Sequence, residues 1–538
     1  MTRDKVSDHP DWEKYRYTKN NTKNGGVSNE YTNGVTAHSE NNMSDGFGKS
    51  TEHLTASGDH HVATVSGGVS YGTTIDDRNH NEKTEKYQVY KWRWYVLATL
   101  AVLNFTNAMA WICFAAVTNF TADYYNVTVD DVNWLSLIYL VVTVPIGFVA
   151  SWALDTLGLR ATMLFGGWIN LIGLIVRYLS TLPAVPDSGR YAVVMTGQGL
   201  AAFAQPFLLF APTKLAATWF PENQRVIANS LGSMSNPLGI LCSFLLSAGL
   251  VEGPEDIPFM LWVYIIPGGV ACAMVTFGIC SAEPPTPPSA SAASDHESFF
   301  QGLKKCVRNL PYMILFLCFG GGYALFNAFS TFLEQIVCPN GYDDDFAGLL
   351  GGLMIACGIL GAIISGLYVD KTGHFTPVVK VAFAMATLFS IVFVVCAIFP
   401  KLGIGLAIGA VGFGFFGFAM FPIALELGVE CTYPVAEGTS AGFLQISGQL
   451  QGIILIIIGQ FTAPLIPIED APEQQCKNAT DVMDGEELTI PDMSIPLYIF
   501  AGYAVVCCVI LLIFFKTDYK RVSAEERRQD AITETTQF

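Results

Sequence analysis

Twelve apolar stretches, each about as long as a helix that crosses a bilayer, fall between Trp94 and Phe515 of this 538-residue chain. Roughly 20 residues of helix span the hydrocarbon core. Lipid offers no hydrogen bonds to the backbone, and a continuous apolar run of that length satisfies its own N–H and C=O groups only as a helix. The predicted fold class is therefore an all-α membrane protein with twelve transmembrane helices in two six-helix halves. Apolar residues make up 51% of the chain and charged residues 14%, with the charges confined to tails and short connectors.

The halves meet at a polar interruption. Glu283-Pro-Pro-Thr-Pro-Pro-Ser reads as a flexible linker. Ser298-Phe-Phe-Gln-Gly-Leu-Lys-Lys-Cys-Val carries an apolar and a basic face, the pattern of a helix lying on the membrane surface. The predicted organisation is a tail over 1–90, a six-helix bundle over 91–280, a linker with an interfacial helix over 281–310, a second bundle over 311–516 and a tail over 517–538. The first tail is rich in Asn, Ser, Thr and Gly, a composition of disorder, and Met1 opens no cleavable signal peptide. Lys91, Arg93, Arg160, Lys214, Arg225 and Lys304 all sit near the termini or even-numbered connectors, which predicts that both termini are cytosolic. The expected location is the plasma membrane ahead of an endolysosomal one. A net charge of −17, much of it in the last outer loop, gives no sign of a nucleic-acid partner. The expected partners are the lipid bilayer and a small-molecule substrate, and the expected state is a monomer.

One cassette occurs twice. Asp155-Thr-Leu-Gly158-Leu-Arg160 and Asp370-Lys-Thr-Gly373-His-Phe each follow the second apolar run of a half. An Asp closing one helix, with Gly in the tight turn after it, can meet the positive N-terminus of a neighbouring helix. A single Asp-x-x-Gly is a common turn. Two at equivalent places point to a duplicated bundle that rocks between two open states.

Ten of the thirteen cysteines lie in or beside apolar runs, where a small buried side chain is the plain reading. Cys338 and Cys476 fall in outer loops and are expected to form a disulfide; Cys338-Pro339 also resembles a haem-binding dipeptide. Asn119, Asn126 and Asn478 are glycosylation acceptors on the same side, whereas Asn104 lies inside a run.

Within the first run Asn104, Asn107 and Trp111 share one helical face, a polar stripe ending in an indole. That suits a cavity for a small organic cation, held by cation–π attraction of about 0.5–2 kcal/mol. The alternative is a packing face with amides bonded across the bundle. Gln198 and Gln205 lie seven apart in the fourth run, and Gln445 and Gln449 one turn apart in the eleventh, with the same two readings: substrate hydrogen bonding or inter-helix contact. The seventh run carries Phe319, Tyr323 and Asn327. Arg177 is expected to snorkel or pair near the outer surface. All eight histidines and every mid-membrane Asp or Glu are missing from the runs, which predicts a facilitator with no proton coupling and no axial ligand for haem. No metal cluster, phosphate loop or nucleophile–base pair is visible, so neither enzyme activity nor a cofactor is expected.

Asn133-Trp-Leu-Ser-Leu-Ile-Tyr139, Trp152–Arg160, Trp219-Phe-Pro-Glu222, Ser235-Asn-Pro-Leu-Gly239 and Glu430-Cys-Thr-Tyr-Pro-Val-Ala-Glu-Gly438 resemble the major facilitator superfamily. Within it they are similar to the family of feline leukaemia virus subgroup C receptors, solute carrier family 49. Ala211–Trp219 and Glu283–Ser289 look most like the third branch of that family. The resemblance implies transport of choline or ethanolamine, with haem export also proposed for relatives; a non-transporting receptor is a further reading. It implies that Trp111, Gln205 and Gln449 match substrate-proximal residues, while Asn327 stands where relatives place a second cage aromatic, a loss Tyr323 partly offsets. It also implies that Glu426, Glu430 and Glu437 are partners of the first Asp cassette in a gate, ahead of proton carriage or substrate binding.

Overall fold

The computed structural model describes residues 87–289, 291–292, 297–342, 344–399, 401–467, 482–484 and 487–527. Residues 1–86 of the tail expected over 1–90, the partner Cys476 and the acceptor Asn478 lie outside them, as does the side chain of Cys338.

Among the described residues twelve helices are long and apolar enough to cross a membrane. In the first half the spans are α1 (Arg93–Ile112) continued by α2 (Thr118–Tyr125), α3 (Val129–Thr156), α4 (Leu159–Leu179), α5 (Asp187–Leu209) continued by α6 (Ala211–Trp219), α7 (Arg225–Leu250) and α8 (Ile257–Ala273). A short helix, α9 (Phe299–Arg308), precedes the second half: α10 (Leu310–Val337), α11 (Asp344–Thr372), α12 (Phe375–Ile398), α13 (Gly403–Thr432), α14 (Glu437–Thr462) and α15 (Ser494–Phe514). Between the last two spans the acidic loop forms a small antiparallel sheet, β1 (Leu465–Pro467), β2 (Val482–Asp484) and β3 (Glu487–Pro491), in the order β1-β3-β2. The sequence suggested no strands there.

Both predicted turns close through glycine in the left-handed region, Gly158 at φ 85° and Gly373 at φ 67°. A side chain there would be strained. The reversal brings α4 and α12 straight back after α3 and α11, so Asp155 and Asp370 occupy matching places in the two halves. Because the spans alternate in direction, both lie at the end of the bundle where α1 begins and α15 ends.

The seams between halves are α3 against α14 and α7 against α11. Small residues make the approach possible. A Cβ on Gly442 would come within 2.0 Å of Ser151 Oγ, and one on Gly366 within 2.7 Å of Ser230 Oγ. An apolar cluster joining Ala108, Leu140, Met234 and Ile240 to Phe326, Phe329 and Leu455 also unites the two halves.

The amphipathic segment of the linker folds as α9. It buries Gly302 and Cys306, the former against Val435, and leaves Phe300, Lys304 and Arg308 exposed. Upstream of α1, the Gln88 N–H donates to the Pro287 carbonyl at 3.2 Å, and Tyr90 Oη donates to Thr286 Oγ1 at 3.2 Å. Beyond α15, where a tail was expected, residues 520–527 form a helix packed on the bundle.

Candidate functional site

The first span is not continuous. It is α-helical to Ile112, passes through a 3-10 turn and resumes as α2. Such a break leaves carbonyls with no helical partner. Gln198 Nε2 donates to the carbonyls of Ala110, Trp111 and Leu135, at 3.2, 3.3 and 2.9 Å. Arg177 Nη1 donates to the Ala110 carbonyl at 3.1 Å. Arg177 therefore corrects the surface reading: it is fully buried, with its guanidinium 4.8 Å from the Phe114 ring and Nη2 against Cys113 Sγ. Inside the half the cation meets the Ala110 carbonyl, the Cys113 sulfur and the Phe114 ring in place of the water and headgroups that a snorkelling side chain reaches.

This arrangement sets the position of Trp111. Its indole Nε1 donates to the Ser136 carbonyl at 3.0 Å, and its ring lies 6.3 Å from that of Tyr139, whose buried hydroxyl is unpartnered. Asn107 Nδ2 donates to Asn170 Oδ1 and the Ala201 carbonyl, each at 2.9 Å, and so ties α1 to α4 and α5. Asn104 is buried and donates to the Leu208 carbonyl. The donors of Asn104, Asn107 and Gln198 are thus all engaged inside the first half.

Gln205 accepts from Thr143 Oγ1 at 2.8 Å. Across the seam, Gln445 Nε2 donates to the Leu209 carbonyl at 3.4 Å, and its buried Oε1 has no partner among the described residues. Gln449 Nε2 donates to Tyr323 Oη at 3.1 Å, and its Oε1 is likewise buried and unpartnered. Tyr323 packs edge-on to Phe421 at 5.4 Å, and Phe421 lies 5.1 Å from Phe319. Tyr323 and Phe421 border a cavity inside the second half, lined also by Phe326, Phe383 and Phe418. Asn327, one turn beyond Tyr323, is buried with Nδ2 unpartnered, close to where a Cβ on Gly452 would sit. Aromatic faces and unpaired amide oxygens can hold a cation, and the hydroxyl and amide donors can orient a polar group.

At the end where α1 begins and α15 ends, the two halves are joined through carboxylates and helix N-termini. Asp155 Oδ1 accepts the N–H of Gly438 at 3.0 Å, and Oδ2 accepts the N–H and Oγ1 of Thr439, both at 2.6 Å. Asp370 accepts the N–H groups of Val226 at 2.9 Å and Ile227 at 2.7 Å. In each case the donors are the second and third residues of a helix of the other half, α14 or α7. Those N–H groups have no acceptor within their own helix, and the helix dipole favours an anion there. Lys214, which the sequence reading used only for orientation, joins the first contact at 3.6 Å from Asp155 and 2.9 Å from Glu437.

Glu426 and Glu430 take different partners. Glu426 accepts from Asn229 Nδ2 at 3.1 Å across the halves and from Arg521 at 2.8 Å. Glu430 pairs with Arg521 at 2.7 Å. Arg160 stays within its own half and donates through Nε to the Ile279 carbonyl at 2.7 Å. Asn229, Thr439 and Arg521 escaped the sequence reading because their partners are more than ninety residues away.

The profile described as Major Facilitator Superfamily matches residues 100–456. Solute carrier family 49 member A3 of Xenopus tropicalis is 44% identical over 445 residues, covering 82% of this chain and 90% of that protein. A choline/ethanolamine transporter, FLVCR2 of Rattus norvegicus, is 30% identical, covering 69% of each chain. The crystal structure of the major facilitator transporter FucP in its outward conformation superposes with a TM-score of 0.59 over 80% of this chain and 100% of that one, at 12% identity, a likeness of fold alone. A profile that covers most of the chain and a relative so similar along nearly its whole length make this protein a member of the major facilitator superfamily and, within it, of the solute carrier 49 family.

Proposed function

We propose that the protein is a facilitative uniporter that moves a small polar or cationic organic solute, of the choline or ethanolamine type, by alternating access, with both termini in the cytosol. The observation that carries this reading is the paired closure by Asp155 and Asp370 onto α14 and α7. Each contact joins the two halves by seating one aspartate on a fixed helix end, so rigid halves can break it whole and remake it. Glu437, through Lys214, and Glu426, through Asn229, belong to the same gate; Arg160 steadies the first cassette from within its half.

Trp111 and Tyr139 form the aromatic wall of the first half, and Tyr323 with Phe421 that of the second. Gln205, Gln445 and Gln449 supply amides to the solute, while Asn107 and Gln198 act indirectly by fixing α1. The activity named for the rat relative supports this solute class. The middle parts of the spans carry no Asp, Glu or His, which favours movement down the solute gradient. Asn119 and Asn126, exposed on and just after α2, would carry glycans on the outer side.

Uptake of labelled choline and ethanolamine, beside an untargeted metabolite comparison of cells with and without the protein, tests the reading. Trp111→Ala at matched surface abundance is expected to lower apparent affinity about 2- to 30-fold, the range of a lost cation–π contact. Undiminished uptake by that variant, or indistinguishable metabolite profiles, would contradict it.

A further inference from the structure

The C-terminal helix over 520–527 buries two opposite charges against both halves. Arg521 is 2% exposed and Glu525 3%. The Arg521 guanidinium bonds Glu430 at 2.7 Å and Glu426 at 2.8 Å, both on α13. Glu430 also accepts the backbone N–H groups of Arg521 at 3.1 Å and Val522 at 3.2 Å, the second and third residues of this helix. Asp155 and Asp370 use the same device. Just before the helix, Tyr519 Oη accepts the Thr376 N–H at 3.0 Å and its ring packs edge-on against Phe375. All of these contacts lie within the second half, so the helix is anchored there.

Glu525 points the other way. Its Oε1 accepts from Arg225 Nη2 of α7 at 3.1 Å and from the Ser291 N–H of the linker at 3.2 Å. The same Arg225 nitrogen donates to Ser289 Oγ at 2.5 Å and Ser291 Oγ at 2.7 Å. Burial pushes the Glu525 carboxyl up, but the Arg225 guanidinium, the hydrogen bonds from the Glu222 carboxyl and Ser291, and the Arg521 charge together outweigh it and hold the group at about 2, so it is ionised. Arg225 is the first residue of α7, whose next two N–H groups are those held by Asp370.

We propose that the C-terminal helix is an arm of the second half that latches the closed gate: Arg521 anchors it on Glu426 and Glu430, and Glu525 grips Arg225 of the first half beside the Asp370 contact. When the halves part at this end, the Arg521 bonds travel with α13, whereas the Glu525–Arg225 pair has to break. Arg521 and Glu525 are thus positioning residues for the transport cycle and touch no solute. The linker takes part, since Ser289 and Ser291 share the cation that the arm grips.

The proposal rests on the alternating-access reading, and one experiment separates the two. Backbone hydrogen exchange of the full-length protein in lipid nanodiscs, without solute, reports opening through the N–H groups of Val226 and Ile227, with Asp155→Asn as the reference. Glu525→Ala is expected to accelerate their exchange about tenfold, the effect of a lost charge-assisted hydrogen bond. Amides in the middle of α5 should be unchanged. The exchanged pair Arg225→Glu with Glu525→Arg should restore slow exchange, a rescue that a merely structural role would not produce. Unchanged exchange in Glu525→Ala while Asp155→Asn accelerates it overturns the latch and leaves the gate standing. If neither variant accelerates it, the alternating closure fails as well. Acceleration that the charge exchange does not reverse, or that spreads to α5, makes the helix a folding element and likewise overturns the latch.

Discussion

Replacing Asp155 with asparagine keeps the size of the side chain and removes the charge that closes the first seam. Asp155 accepts two backbone N–H groups and one hydroxyl, with Lys214 at 3.6 Å. An asparagine can turn its oxygen toward Thr439, but its NH2 then faces the Gly438 N–H, so one bond is lost and the rest become neutral. A hydrogen bond to a charged group contributes about 1.5–3 kcal/mol against about 0.5–1.5 for a neutral one. The helix N-terminus adds about 0.3–1 kcal/mol for an anion. Lys214 retains Glu437 at 2.9 Å and is not left alone. The closed state should lose about 2–4 kcal/mol, a change of about 30- to 700-fold in the balance between closed and open. Hydrogen exchange at Gly438 and Thr439 will quicken trivially, because their acceptor has changed. The decisive amides are those of Val226 and Ile227, whose own acceptor, Asp370, is intact. They have no acceptor in their helix, so they should quicken in proportion only if the two seams open together. Slow exchange there, beside fast exchange at Gly438 and Thr439, would refute a shared gate and reduce Asp155 to a local contact.

Other substitutions probe the gate and the cargo region separately. A Cβ at Gly438 would lie 2.7 Å from Asp155 Oδ1, so Gly438→Ala should displace the carboxylate and quicken the same amides, though less than Asp155→Asn. Gln198→Leu takes a side-chain donor from the carbonyls of Trp111 and Leu135, whereas Ala110 keeps Arg177. An unsatisfied buried polar group costs about 1–3 kcal/mol, so a lower thermal unfolding midpoint and weaker apparent solute affinity are both expected. Asn327→Tyr adds an aromatic face near Tyr323 and should raise apparent affinity for choline, by up to about tenfold in a thermal-shift titration.

What the sequence made legible was local. Runs of apolar residues marked the twelve helices, the Pro-rich stretch marked the division, and Asp-x-x-Gly marked two turns whose glycines do adopt positive φ. What it concealed depends on tertiary partners. The break after Ile112 falls in a run that reads as one helix, and the groups that satisfy it, Arg177 and Gln198, come from α4 and α5. The stretch Arg521-Val-Ser-Ala-Glu525 is polar enough to pass for a tail, and its distant partners, the buried carboxylates of α13 and Arg225 of α7, explain why it folds back. Among the amides singled out for a solute, polarity at helical spacing found buried groups but not their partners: Asn107 and Gln198 spend their donors on neighbouring helices, whereas Gln445 and Gln449 keep a buried oxygen unpaired among the described residues.

The contacts between the halves at Asp155 and Asp370 were half legible for a physical reason. Their anions are side chains with a recognisable spacing, but the partners are backbone N–H groups, which every residue except proline possesses. No residue type at Val226 or Ile227 announces that Asp370 will seat there, and Thr439 adds only one hydroxyl to what its backbone already offers. What a partner position needs is to be second or third in a helix that starts at the right place and is closely approached. That requirement is written in the elements around it: the turns through Gly158 and Gly373, and the small residues Gly438, Gly442 and Gly366 along the seams. A contact of this kind can be strong without depending on the chemistry of its partner side chain. Its strength lies in one carboxylate per seam, and its specificity in where two helices begin.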